Sequence, residues 1–164
     1  MKIDVRVDDE DVVELIRGML ARGRNLAPVM RPISGILVDS IEESFEREAN
    51  PNTRAPWPAL HPLTIAARQL AGNWPGKILQ QSGRLAASIT PDYGPDFAAA
   101  GTNVIYAALQ NFGGTIKPKS GRALSFGGGL FSQAVIPART FAGVWPEHLE
   151  EIGELLGRFV TDDR

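Results

Sequence analysis

The chain has 164 residues, 43% of them hydrophobic and 22% charged, a size and balance that fit one domain around a single core. No apolar run approaches the roughly 20 residues of a membrane-spanning helix, the N-terminus (Met1-Lys2-Ile3-Asp4) does not read as a signal peptide, and the absence of cysteine excludes disulfide and thiolate chemistry. The net charge of −2 divides unevenly: −4 over residues 1–49 (7 basic, 11 acidic), +6 over residues 50–145 (8 basic, 2 acidic) and −4 over residues 146–164 (2 basic, 6 acidic).

Ile3, Val5 and Val7 alternate with Asp4 and Arg6, the period-2 pattern of a half-buried strand. Asp8, Asp9, Glu10 and Asp11 follow and suit a helix start, where acids complement the macrodipole. A helix is expected from about Glu10 to Arg22, with Val12, Val13, Leu15, Ile16, Met19 and Leu20 on its apolar face. A second helix is marked by Leu26, Val29, Met30, Ile33, Ile36, Leu37, Ile41 and Phe45 at helical spacing. Pro28 and Pro32 place its regular part from about Pro32, and Asn50-Pro51-Asn52 ends it.

Residues 51–62 form a proline-rich loop whose Trp57 demands burial. Thr64 to Leu70 reads as a short helix, and Lys77 to Ser88 as a short helix leading into a strand. Residues 89–93 and 97–102 flank Gly94-Pro95-Asp96 and predict a hairpin. Tyr106 to Asn111 suits a helical turn, broken by Gly113-Gly114. Short strands are expected at 115–117, 123–126 and 134–136, with Gly127-Gly128-Gly129 as a flexible hairpin tip. The C-terminal helix opens at Pro146, with Glu147, Glu150 and Glu151 near its start and Leu149, Ile152, Leu155, Leu156, Phe159 and Val160 as its apolar positions. The fold class is α+β: an antiparallel sheet of short strands packed with two N-terminal helices and one C-terminal helix, in one domain over 1–164 with a mobile loop around 114–133.

No residue set stands out as catalytic or metal-binding. His61, between Leu60 and Pro62, has no evident partner for acid–base work, and a hydrolase would have to bring Asp92 or Asp96 to it. His148 falls among glutamates on a first helical turn and is expected to face solvent. The triple glycine lacks the lysine and Ser/Thr of a phosphate loop. Lys117, Lys119 and Arg122, near Phe126 and Phe131, form a basic cluster with aromatics, the composition of a single-stranded nucleic-acid contact but with few charges for a dedicated binder.

An ordered series of small motifs is more specific. Phe45, Pro51, Trp57-Pro58 and Leu60 precede Ile78-Leu79-Gln80, Ser82-Gly83, Leu85 and Ser88-Ile89. Gly101-Thr102-Asn103, Tyr106-Ala107, Phe112-Gly113-Gly114 and Ile136-Pro137-Ala138-Arg139 with Phe141 complete it. In order and spacing, over about residues 28–160, the chain resembles the phage virion morphogenesis family of Mu-like tail completion or head–tail joining proteins. It departs from that pattern at Asn52-Thr53-Arg54, where a glycine is usual, and at Gln110-Asn111, where His-Gln is usual.

The resemblance implies a non-enzymatic assembly protein without cofactor or metal, working in the host cytoplasm during assembly and in the tail or neck of the virion. Its partners would be further copies of itself in a ring and the tail, neck or connector proteins; the residues themselves leave an alternative, a small nucleic-acid-binding module or weak DNA contact through the basic 117–122 loop, and no membrane partner is expected. The candidate interface residues are Lys117, Lys119, Arg122, Phe126, Phe131 and Arg139. Arg139 is expected to pair with a carboxylate in its own chain or a neighbour. Tyr106 is expected to offer a buried ring with a polar tip. Head-to-tail contacts between acidic and basic surfaces would build such a ring.

Overall fold

A computed structural model of the protein describes residues 25–119, 123–126 and 129–161, with Glu14, Arg17, Gly18, Met19, Ala21 and Gly23 before them. Those six earlier positions are all helical, in keeping with the first predicted helix; the predicted strand at 3–7 and the rest of that helix lie outside the described residues. Helix α1 (Ala27–Arg47) is the frame on which the rest is laid. It starts earlier than its prolines suggest. Pro28 occupies the first turn, and Pro32 is carried inside the helix at the cost of one backbone bond. The apolar stripe pattern holds: Val29, Met30, Ile33, Ile36, Ile41 and Phe45 are all buried.

The helix stops at Arg47 because Glu48 turns left-handed (φ 51°), and the Asn50 side chain then accepts from the backbone N–H groups of Asn52 and Thr53 to fold the following turn. Its last carbonyls are met from residues 77–80: the Gln80 amide donates to Phe45 O at 2.7 Å and Lys77 Nζ to Glu46 O at 3.5 Å, while the Ile78 N–H donates to the Glu48 side-chain carboxylate. Leu79 between them adopts φ 60°, an uncommon conformation for a branched side chain. These contacts replace the predicted helix over 77–88. Only Ala86–Ser88 winds, as a single 3₁₀ turn, because Leu79 and Gly83 both take positive φ.

Helix α2 (Pro62–Leu70) follows the proline-rich loop, and strands β1 (Thr90–Tyr93) and β2 (Ala98–Gly101) form the predicted hairpin. Helix α3 (Ala107–Phe112) is followed by β3 (Gly114–Ile116), β4 (Leu124–Phe126), β5 (Gly129–Phe131) and β6 (Ala134–Ile136). The strands form three two-stranded antiparallel ladders, β1–β2, β3–β6 and β4–β5, the last nested inside the connection of the second. Helix α4 (Pro146–Thr161) closes the described chain and begins at the predicted proline.

The core has two parts, both built on α1. Ile41, Phe45, Trp57, Leu85, Ile89, Val104, Ala107 and Phe141 form the larger one. There Phe45 meets Trp57 edge-on at 5.7 Å and Phe141 at 5.1 Å, and the Trp57 indole N–H donates to Thr140 O at 2.9 Å. Val29, Met30 and Ile33 form the smaller part with Ala98 of β2 and Ile152, Leu155, Leu156 and Phe159 of α4.

Two fully buried serines of α1 lock the approach to α4. Trp145 donates its backbone N–H to Ser40 Oγ (2.9 Å) and its indole N–H to Ser44 Oγ (3.0 Å). Outside that lock, Arg47 covers the Trp145 ring at 4.2 Å and bridges Glu43 and Glu147. His148 is half-buried against this cluster rather than facing solvent, its Nδ1 3.4 Å from a Glu43 oxygen, within ion-pair reach but outside hydrogen-bond geometry.

Candidate assembly interface

The segment from Arg139 to Ala142 is held from two sides. Asn111, at the end of α3 and buried, uses one side-chain oxygen to accept the backbone N–H groups of Phe141 (3.0 Å) and Ala142 (2.9 Å). Its own carbonyl accepts from the Thr140 hydroxyl, and the Arg139 N–H donates to Gln110 O. The Gly113 turn fits the same junction: at φ 73°, a side chain there would place Cβ 2.7 Å from the Ala138 nitrogen and 2.9 Å from the Ile136 oxygen.

Arg139 is buried, and its partners are not acidic. Its Nε and Nη2 donate to the carbonyls of Pro58 (2.9 Å) and Ala59 (3.0 Å), tying the proline-rich loop to the segment that follows β6. Within its own chain, then, Arg139 meets carbonyls and not the expected carboxylate among the described residues. The loop carbonyls bend toward the guanidinium because Pro58 and Ala59 sit outside any helix or ladder and have orphan acceptors to satisfy. Burial, reinforced by the nearby Arg68 charge, pushes the Arg139 guanidinium below its ordinary pKa.

The other candidate residues spread along the same region. Lys117 and Lys119 are exposed just after β3, and Arg122 lies outside the described residues. Phe126 ends β4, paired with Gly129, and Phe131 ends β5, half-buried and opposite Leu124. Phe131 and Arg139 share the wall of a cavity of about 830 Å³ between α2, the 79–85 segment and the β3–β6 and β4–β5 ladders. Tyr106 stands at that cavity too, but 37% exposed rather than buried, at the start of α3.

Sequence reasoning did not single out Arg68. On α2 it is 7% exposed, lines the same cavity and donates from Nη1 to Lys77 O at 3.0 Å, while its buried Nε–H has no partner. Nor did it find the exposed apolar surface. Ile105 (97% exposed) and Phe112 (76%) stand on or beside α3, Val135 (68%) on the β3–β6 ladder and Leu130 (75%) on β4–β5. Large apolar side chains this exposed are the kind of surface from which an interface is built.

His61 serves as the N-cap of α2, its Nδ1 accepting the Leu63 N–H, and among the described residues it makes no contact with Asp92 or Asp96. Among the described residues no group of three His, Asp or Glu side chains is placed to hold a metal, and no helix is long and apolar enough to cross a membrane.

Comparison with known proteins places this surface in context. The chain is 35% identical over 161 residues to the putative capsid assembly protein G of Escherichia phage Mu, covering 97% of this chain and 92% of that protein. It is 28% identical over 153 residues to the Mu-like prophage FluMu G protein 2 of Haemophilus influenzae, covering 93% and 91% of the two chains. FluMu G protein 1 of the same organism is 27% identical over 164 residues, covering 99% and 97%. No solved structure matches the chain. The profile of the phage virion morphogenesis family matches residues 7–161, nearly the whole chain including the interface region, and the chain belongs to that family.

Proposed function

We propose that this protein is a non-enzymatic component of phage tail completion or head–tail joining that acts by forming a homo-oligomeric ring. The observation that carries the reading is the exposed apolar surface of α3 and the two outer ladders, in a chain of a family devoted to virion morphogenesis. The basic middle of the chain holds that surface, and the acidic ends supply a chemically different one. Two unlike patches on one chain suit heterologous contacts, which close into a ring when the rotation permits.

Lys117, Lys119, Arg122, Phe126 and Phe131 belong to this interface, and the 114–133 segment settles against the neighbouring subunit as the ring forms. Arg139 holds the interface from beneath, binding the Pro58 and Ala59 carbonyls through Nε and Nη2. The further partners are tail, neck or connector proteins, and the site of action is the host cytoplasm and then the tail or neck of the particle.

Electron microscopy and light scattering of the concentrated protein test this directly: rings are expected, and a chain that stays monomeric at high concentration overturns the reading. Reversing Lys117, Lys119 and Arg122 to glutamate weakens assembly and leaves the monomer folded; unchanged assembly removes these three from the interface. The exposed lysines also support a second reading, contact with DNA. It requires an affinity that falls steeply with salt, and no binding at low salt ends it.

A further inference from the structure

The cavity under the outer ladders contains an electrostatic problem. Arg68 and Arg139 are 7% and 5% exposed, both line it, and among the described residues neither has an acidic partner. Their bonds go to three backbone carbonyls, which satisfy some donors but neutralise no charge. Among the described residues Arg68 Nε–H finds no partner, and neither do Nη2 of Arg68 and Nη1 of Arg139. Two buried like charges repel each other, and a buried cation without a counter-charge is among the costliest features a fold carries. The rest of the wall is largely apolar, with Leu63, Leu85, Ile116 and Phe131. A ligand for this cavity therefore carries one anionic group shaped for a guanidinium fork beside an apolar body.

The chain itself offers such a ligand. The exposed face of α4 brings Glu150 and Glu154 together at i, i+4, and among the described residues neither makes an ion pair or hydrogen bond. Leu149 lies next to them, 61% exposed on a helix whose other leucines are half-buried. Gly153 and Gly157 fall on the same face with nothing within 4 Å of their Cβ positions, which lets a partner approach the backbone. Two glycines inside an exposed helix cost about 1 kcal/mol each relative to alanine, so something other than helix stability selects them.

We propose that the cavity receives a carboxylate from a second copy of this chain, presented by Glu150 or Glu154 of that copy's α4, with its Leu149 filling the apolar part. This rests on the ring reading and names the contact that closes it: the acidic end of one subunit seats in the basic middle of the next. The site is heterologous, because α4 and the cavity are different surfaces of one chain.

Sedimentation velocity of the full chain tests it, with circular dichroism to check folding. E150Q/E154Q and R68Q are each expected to weaken self-association at least tenfold, and the combined variant to be no weaker than the worse of the two. D96N, which removes one exposed acidic charge on the β1–β2 turn, is expected to assemble as the natural chain does. If R68Q does not fold, the surface pair E150Q/E154Q carries the test alone. Assembly of E150Q/E154Q at the natural strength overturns this contact and leaves the ring standing. A natural chain that never self-associates overturns both.

Discussion

Asn111 offers the sharpest test of how the interface is supported. Replacing it with leucine keeps the branched shape in a somewhat larger side chain and removes one oxygen that accepts two backbone N–H groups, those of Phe141 and Ala142. A buried donor left without a partner costs about 1–3 kcal/mol. Phe141 is 3% exposed, so its N–H suffers that full penalty, whereas Ala142 is exposed and its N–H can turn to water. The loss is therefore about 2–4 kcal/mol, below twice the single penalty. Domains of this kind have about 5–15 kcal/mol in total, so the variant folds but is visibly weakened. Urea unfolding followed by tryptophan fluorescence measures it, since Trp57 and Trp145 both lie close to the affected segment. With a slope of about 2 kcal/mol per molar, the midpoint falls by roughly 1–2 M. Asn111→Asp keeps an acceptor in place and is expected to lose less than Asn111→Leu. A leucine variant within 1 kcal/mol of the natural chain, or an aspartate variant no better than leucine, refutes the argument that the acceptor holds this segment.

Three further outcomes follow from the same structure. Ser44→Ala leaves the buried Trp145 indole N–H without its acceptor and costs about 1–3 kcal/mol, while adding Trp145→Phe to it costs less than the two single losses summed, as a double-mutant cycle by thermal unfolding will read. Gly113→Ala forces a Cβ into Ala138 and Ile136 at positive φ and lowers the melting temperature, by more than the roughly 1 kcal/mol such a change gains at compatible sites. The Glu147 carboxyl is held below its ordinary value of 4.5 by its own backbone N–H and then by Arg47, against some opposing desolvation. A depressed carboxyl stabilises the fold above its unfolded pKa and loses that contribution as pH falls through the folded one. Glu147→Gln is therefore less stable than the natural chain at neutral pH, and the gap in melting temperature closes as pH drops below about 4.5.

The parts of this fold that were legible in the sequence are those with local signals. The apolar stripe from Val29 to Phe45, the Gly94-Pro95-Asp96 turn and Pro146 each report their own neighbourhood, and the structure has α1, the β1–β2 hairpin and α4 there. The buried polar residues had no such signal. Ser40 and Ser44 on a helix read as surface until Trp145, about a hundred positions away, comes to them. Asn111 read only as a departure from a family pattern, yet its side chain fixes the start of the 141–145 segment. Arg68 on a short helix reads as a solvated charge, and its burial follows from the fold closing over it. The split into three small ladders was hidden for a related reason: three-residue strands such as 114–116 and 134–136 pair by nested closure, which no local pattern encodes.

The distribution of rigidity and exposure over the chain carries a consequence for assembly. Everything that packs on α1 is tied by paired contacts: Ser40 and Ser44 to Trp145, Arg47 to Glu43 and Glu147, Gln80 to Phe45. The exposed apolar side chains Ile105, Phe112, Leu130 and Val135 lie instead on or beside α3 and on the two outer ladders, which are tied to the core through Asn111 and the 139–141 junction, while Leu70, Tyr93, Phe97 and Leu149 are exposed elsewhere. A subunit built this way presents its sticky surface on a platform whose position is set by a few buried polar bonds. Loss of those bonds would tilt the platform without dissolving the core. In a closed ring every contact repeats the same small rotation, so an angular error at one junction accumulates around the circle and prevents closure. In the ring proposed above, variants at Asn111 that still fold should therefore fail in closure before they fail in stability, forming open or irregular oligomers at temperatures where the monomer remains folded.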